Sequence, residues 1–524
     1  MRGSAVRFGW ILALGFAAAA TAGEAPREAF ADAPAAWKDY FVRAQAAVKL
    51  QDPLQRCLAF PDLPGNAWPE GHAAAHCRNH FALEEVPAAE IRAALDAGGA
   101  VALDARLQAL LERHFDRDDP REDIHYVFDA LRDAGPDMDA LSRQWLRQAP
   151  DSAYAHLARA VHLDSAAWAA RGGKYAAETP AGNLRRMSEI AGQAVLMYER
   201  AVEIEPRLMP AHEGLLRMAT MDSRDDVAAE AIRAAERWDP ACLSVARERM
   251  RALEPRWGGS YPEMFGYAQA LQALQARRPA VAMYVGAPFA DSGDVLSSDD
   301  AHAGEAMQAL DLAVRLGSAE SYLKDAANAA FTTDKQVRDT WKAYAYLLQA
   351  ERFSEQNAWV QRTLAGFLVR RDPAWALRHA ERAVQAEPAD ALGRYLLGAA
   401  YNNSRRHEEA QAQYLLAAED AGQRQEALRE MSAMWLYDSG LPPRQRSAKA
   451  LPHLQRLMKE YPADGRGWIM HAQERALAEN HIDESLLQTA LEKADPDDPW
   501  QAHFIRSLQE LRARRPVEAP RPPE

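Results

Sequence analysis

Apolar residues recur along most of this chain at steps of three and four, the spacing that gathers them on one side of a helix. Leu103, Leu107, Leu110 and Leu111 form such a face in a helix expected over residues 94–114. The same reading places helices near 37–50, from residue 71, at 124–134 and at 138–148. Further along, helices are expected at 301–316, 337–348, 423–437, 448–461, 466–480 and 484–494. A longer period is superposed on this one. Ala194, Tyr198, Ala201 and Pro206 are matched at an offset of 34 by Ala228, Ile232, Ala235 and Pro240. A third copy reads Ala376, Ala380, Ala383 and Pro388, and a fourth Ala410, Tyr414 and Ala417. Small alanines let paired helices approach closely, a larger residue fills the gap, and proline stops the second helix.

That period and residue logic resembles the tetratricopeptide (TPR) family of helix–turn–helix repeats. Leu397, Gly398 and Tyr401 complete the fullest match, within residues 357–422, and Tyr154, Leu157, Ala158 and Val161 occupy packing positions of an earlier unit. A second resemblance covers roughly residues 90–300. Trp145 before Pro150, then Ser152 and Ala155, Arg171-Gly172, and later Trp257-Gly258-Gly259-Ser260 are similar to the recurring pieces of a bacterial TPR-like domain family of unknown function. These resemblances imply an all-α, TPR-like α-solenoid and no particular activity. The expected organisation is a leader over 1–22, a helical cap over 23–90, a TPR-like domain over 91–300, a connector over 301–350, repeats over 351–513 and a disordered proline-rich tail over 514–524.

Composition changes the picture in two respects. At 524 residues the chain is too long for one ordinary core, unless it grows by stacking units that pack only on their neighbours. A formal net charge of −13 opposes binding to phosphate backbones, and no basic stripe intervenes, so nucleic acid is not an expected partner.

The N-terminus adds an address. Arg2 and Arg7 precede an apolar run over 8–20, and Ala20-Thr21-Ala22 offers a small-x-small cleavage site before Gly23. The run is short for a membrane span, and no other segment is long and apolar enough. The mature chain is expected to be soluble and exported, to a bacterial periplasm. Export gives the three cysteines meaning. Cys57 and Cys77 bracket a loop with Pro61, Pro64, Gly65 and Pro69, a segment suited to a disulfide, and Cys242 is left as a small buried side chain.

Candidate chemistry is sparse. His72, His76 and His80 fall on one helix face, four residues apart, and neighbours at that spacing could share a zinc ion. The outer pair is about 12 Å apart along the axis, so further ligands such as Asp62 or Glu70 would be needed. The acidic stretch 291–300 lacks the ligand spacing of a calcium loop, and helix capping by Ser298 or Asp299 accounts for it. No His-Glu-x-x-His, nucleophile elbow, Walker loop, Rossmann glycine pattern or Cys-x-x-Cys-His occurs. No enzyme activity and no cofactor is therefore called for, zinc on the histidine face excepted. The groove of the array supplies the binding candidates: Arg217, Tyr395, Asn402, Asn403 and Arg406 as peptide contacts. The expected function is a protein- or peptide-binding scaffold. Its rival is a metal-dependent protein or enzyme with its site in residues 50–85.

Overall fold

In the computed structural model, residues 29–513 are described apart from 117–119, 332–337, 355–356, 439 and 480. The expected leader and proline-rich tail lie outside those residues. Among the described residues every regular element is helical. The chain divides into two compact units, one containing residues 33–354 and the other residues 355–524 together with the short stretch before residue 33.

The first unit opens with α1 (Ala35–Ala47), α2 (Pro53–Ala59) and α3 (His72–Phe81). Next come α4 (Ala88–Asp96), α5 (Ala100–His114), α6 (Asp123–Asp129) and α7 (Pro136–Gln148). The long pair α8 (Ala153–Arg171) and α9 (Ala181–Ile204) precedes α10 (Met209–Asp222), α11 (Asp225–Trp238) and α12 (Leu243–Ala252). The unit ends with α13 (Tyr261–Leu274), α14 (Ala287–Leu296), α15 (Ala303–Leu316), α16 (Glu320–Ala330) and α17 (Thr340–Phe353). In the second unit α18 (Ala358–Leu368), α19 (Pro373–Ala386), α20 (Ala391–Asn403) and α21 (His407–Ala417) come first. They are followed by α22 (Ala421–Leu436), α23 (Pro443–Glu460), α24 (Gly465–Glu479), α25 (Glu484–Lys493) and α26 (Pro499–Ala513).

The helix starts follow from local chemistry. Asn357, Asp372, Asp390, Asp420 and Asp483 each accept a backbone N–H at the first turn of α18, α19, α20, α22 and α25. Those donors have no partner within the helix, so a short acceptor side chain fixes the start. Ser152 caps α8 and Asp339 caps α17 in the same way.

The repeat skeleton forms the seams between helices. Ala194, Tyr198 and Ala201 on α9 are wholly buried, as are Ala410, Tyr414 and Ala417 on α21. Two close approaches depend on glycine. A Cβ at Gly214 would lie 2.2 Å from the ring of Tyr198, and one at Gly398 would lie 2.8 Å from the ring of Tyr414. The second copy is looser: Ala231 and Ala235 are its buried edge, and Ile232 is half-buried. α11 packs chiefly on α10, whereas α9 is held between α8 and α10.

Four local expectations need correction. The helix expected at 94–114 is two helices, because Gly98 adopts φ 74° and breaks the run. The stretch 291–300 is not an acidic loop: Asp291 lies on α14, where its carboxylate is buried and meets Arg256 at 3.1 Å. The charged stretch 116–123 reads from sequence as a solvated loop, but Glu122 and Asp123 at its end are buried. Trp257, Trp341, Trp359 and Trp375 sit in apolar patterns that place them in the core; Trp375 is buried, while the other three are half-buried. Trp257 stands edge-on to Trp168 at 6.0 Å, with the guanidinium groups of Arg171 and Arg251 over its ring. The Arg-Gly and Trp-Gly-Gly pieces therefore meet in one cation–π cluster.

Candidate functional site

The cap is built around the Cys57–Cys77 disulfide, which ties α2 to α3. Arg352 of α17 reaches the same loop, donating to the carbonyl of Cys57 at 2.9 Å and pairing with Asp62 at 2.6 Å. The three histidines follow from this packing. Nε2 of His72 and Nδ1 of His76 both meet the buried Ser318 hydroxyl, at 2.7 and 2.8 Å. The other nitrogen of His72 lies 2.9 Å from the Pro279 carbonyl, and His76 stacks on Phe353 at 3.8 Å. His80 sits against Phe81. Burial lowers His72 to about 4 and holds His76 well below its ordinary value, so both rings are neutral near pH 7. His72 and His76 thus join α3 to the segment before α16 through Ser318.

The groove residues separate into two groups. Arg217 is not an open contact. It is buried in α10, pairing with Asp164 at 2.5 Å and with Glu213 at 3.0 Å. Its neighbours on that face, Pro210, Glu213 and Met221, are buried too, because α6 and α12 pack on α10. Burial opposes the charge on Arg217, but Asp164 and the Tyr198 hydroxyl hold it firmly protonated. Tyr395 is likewise buried, against Tyr414. Asn402 is half-buried, while Asn403 and Arg406 are exposed at the C-terminal end of α20. Asn403 donates to the Ala399 carbonyl, and Arg406 pairs with Glu409.

Two arrangements emerge that spacing alone did not announce. The first is a polar interior in the first unit, between α6, α8, α10 and α12. Asp164 accepts from Arg132, Arg217 and the Tyr198 hydroxyl. Glu213 accepts from Arg217 and Arg247, and faces Nδ1 of His125 at 3.0 Å. Burial pushes Glu213 up, but His125 and the two guanidinium groups hold it well below the carboxylate range. A cavity of about 620 Å³ opens beside this network, lined by Asp129, Arg132, Asp164, Trp168 and Arg247 among others. Such a network fixes one packing arrangement of the helices around it.

The second lies in the other unit. There α18, α20, α22, α24 and α26, the first helices of successive pairs, each touch the next. At the N-terminal ends of α22, α24 and α26 they bound an open cavity of about 880 Å³. Arg429 pairs with Asp464 at 2.6 Å and Arg466 with Asp498 at 2.8 Å along its floor. Glu426, Glu460 and Asp495 bring its carboxylates to five, against the cations Arg429, Arg466 and Lys493. Deeper along α22, burial and the charge of Glu426 push Glu430 up to about 8. Asn403 and Arg406 stand at the opposite end of α20 and are not brought to this cavity.

Residues 88–226 match a domain family described as a domain of unknown function, DUF4034. No curated protein matches the chain. Among solved structures, a monomeric IFIT1 mutant with m7Gppp-AAAA is 16% identical, with a TM-score of 0.30, covering 78% of this chain and 91% of that one. Yeast Tom70 is 14% identical at a TM-score of 0.29, covering 81% and 96%. Naa15/Naa10 bound to HypK-THB gives 12% identity and a TM-score of 0.28, covering 84% and 86%.

Proposed function

We propose that the chain is an exported scaffold that binds a protein or peptide in the cavity at the N-terminal ends of α22, α24 and α26. The observation that carries this reading is the cavity itself. It is open, polar, about 880 Å³, and lies along the first helices of consecutive pairs. Surfaces of that kind suit an extended segment held by several units in turn. The excess of carboxylates over cations favours a segment carrying basic residues. Export is supported by the leader-like N-terminus and by the Cys57–Cys77 disulfide, which suits an oxidising compartment.

Selection of displayed random peptides on the mature chain tests the reading. Enriched peptides are expected to carry Lys or Arg, and to bind at least tenfold more weakly after Glu460→Lys with Asp495→Lys. Both positions are exposed, so charge reversal there leaves the helices intact. Enrichment of nothing, or equal binding to the reversed variant, would count against the cavity as the binding surface.

A further inference from the structure

We propose that Cys242, His125 and Glu122 bind one zinc-class divalent ion inside the first unit, with His114 and Asp239 as the adjoining donors. Four helix ends converge there. His114 is the last residue of α5, Glu122 the N-cap of α6, Asp239 the C-cap of α11 and Cys242 the N-cap of α12. His125 lies in the first turn of α6. All five side chains are at most 3% exposed.

The spacing fits an ion. The thiol sulfur of Cys242 lies 3.6 Å from Nε2 of His125 and 3.8 Å from a carboxylate oxygen of Glu122. A thiolate and an imidazole bound to one tetrahedral zinc, at about 2.3 and 2.0–2.1 Å, stand about 3.5 Å apart. Two triads meet the same condition, Glu122–His125–Cys242 and His114–Asp239–Cys242, each with its donor atoms within 4.8 Å of one another. They share the sulfur, so the two triads together gather five protein donors there.

The surroundings are those a metal-bound imidazole needs. Nδ1 of His125 faces the Glu213 carboxylate, itself held by Arg217 and Arg247. A proton kept on Nδ1 by that carboxylate leaves the Nε2 lone pair directed at the sulfur. The charges also ask for a cation. Glu122 accepts from the backbone N–H groups of Leu243 and Ser244, and Asp239 meets His114. Among the described residues the one guanidinium that pairs with either is that of Arg278, at 3.3 and 2.8 Å. A Cys242 thiolate adds a further negative charge, and a divalent ion balances it together with Glu122. Without an ion, burial and the two carboxylates push the thiol well above its usual range. Binding therefore releases the thiol proton to solvent as the sulfur–metal bond forms. His114 meets Asp239 through Nε2 at 3.1 Å, while its Nδ1 is wholly buried and without a hydrogen-bond partner. Sulfur, nitrogen and carboxylate donors together select zinc over calcium or magnesium. Donors drawn from four helix ends make this a structural clamp on them.

The alternative is a hydrogen bond from the Cys242 thiol to His125 with no ion, and cobalt(II) separates the two. The mature chain, its disulfide intact, is stripped with a chelator and titrated with cobalt(II) alone. One equivalent is expected to bind with a thiolate-to-cobalt charge-transfer band in the near ultraviolet, displaced by zinc. Cys242→Ser is expected to remove the band. Should that variant not fold, the spectrum of the unaltered chain still decides, because Cys242 is its one free thiol. No uptake, uptake without the sulfur band, or a band that survives Cys242→Ser overturns the proposal.

Discussion

At the scale of single residues, burial sets two behaviours that can be measured. Glu430 is pushed up to about 8 from an ordinary 4.5, by burial first and the Glu426 charge next. Between those values the native state keeps a proton that the unfolded chain has lost. Stability therefore falls as pH rises from about 4.5 towards 8. Glu430→Gln is expected to flatten that slope and to leave the variant the more stable protein at pH 9, by on the order of a few kcal/mol. Urea denaturation across pH 5–9 measures it, and an unchanged slope would contradict the assignment. The glycines make a paired prediction. Gly214→Ala forces a methyl against Tyr198, whose hydroxyl is fixed on Asp164 at 2.9 Å. It should cost about 1–3 kcal/mol net of its helix-propensity gain. Gly192→Ala on α9 meets nothing within 4 Å and should stabilise by up to about 1 kcal/mol. Equal effects of the two would refute the tight seam. At this scale the sequence identified faces but not their neighbours. His72 and His76 share a face as expected, but their partner Ser318 is 246 and 242 residues away. Arg217 looked like a groove residue because nothing local reveals that α6 and α12 cover α10.

At the scale of elements, capping side chains fix several helix starts. Asp and Asn before an apolar run mark α18, α19, α20, α22 and α25 by their own hydrogen bonds. The break between α4 and α5 was missed because the leucine face continues across Gly98 and Gly99, and only a positive φ separates the two helices. The pairing of Cys57 with Cys77 was legible from the punctuated loop between them. Its reduction is expected to cost about 3 kcal/mol in the loop-entropy model. The loss should concentrate in α2 and α3, which the bridge ties together. Hydrogen exchange on the oxidised and reduced chain measures this. Unchanged protection in both helices would show that Arg352 and the Ser318 contacts suffice. The five-residue cluster at Cys242 was not legible, since its members are scattered from residue 114 to residue 242 and converge only where four helix ends meet.

For the whole molecule, the helix-pair architecture could be read from a 34-residue period because each unit repeats one packing problem. The binding surface could not. The cavity proposed for it arises where the ends of α22, α24 and α26 come together, and a fold alone does not specify what is held there. Among the described residues no helix is long and apolar enough to cross a membrane. The most direct measurement places a photo-crosslinking residue at Gln425, in the cavity, and separately at Leu416, exposed on α21. Both variants are expressed and irradiated in the cells that produce the protein. The account predicts a discrete adduct with one partner from Gln425 and none from Leu416. No adduct at Gln425, or the same adduct from both positions, would contradict it.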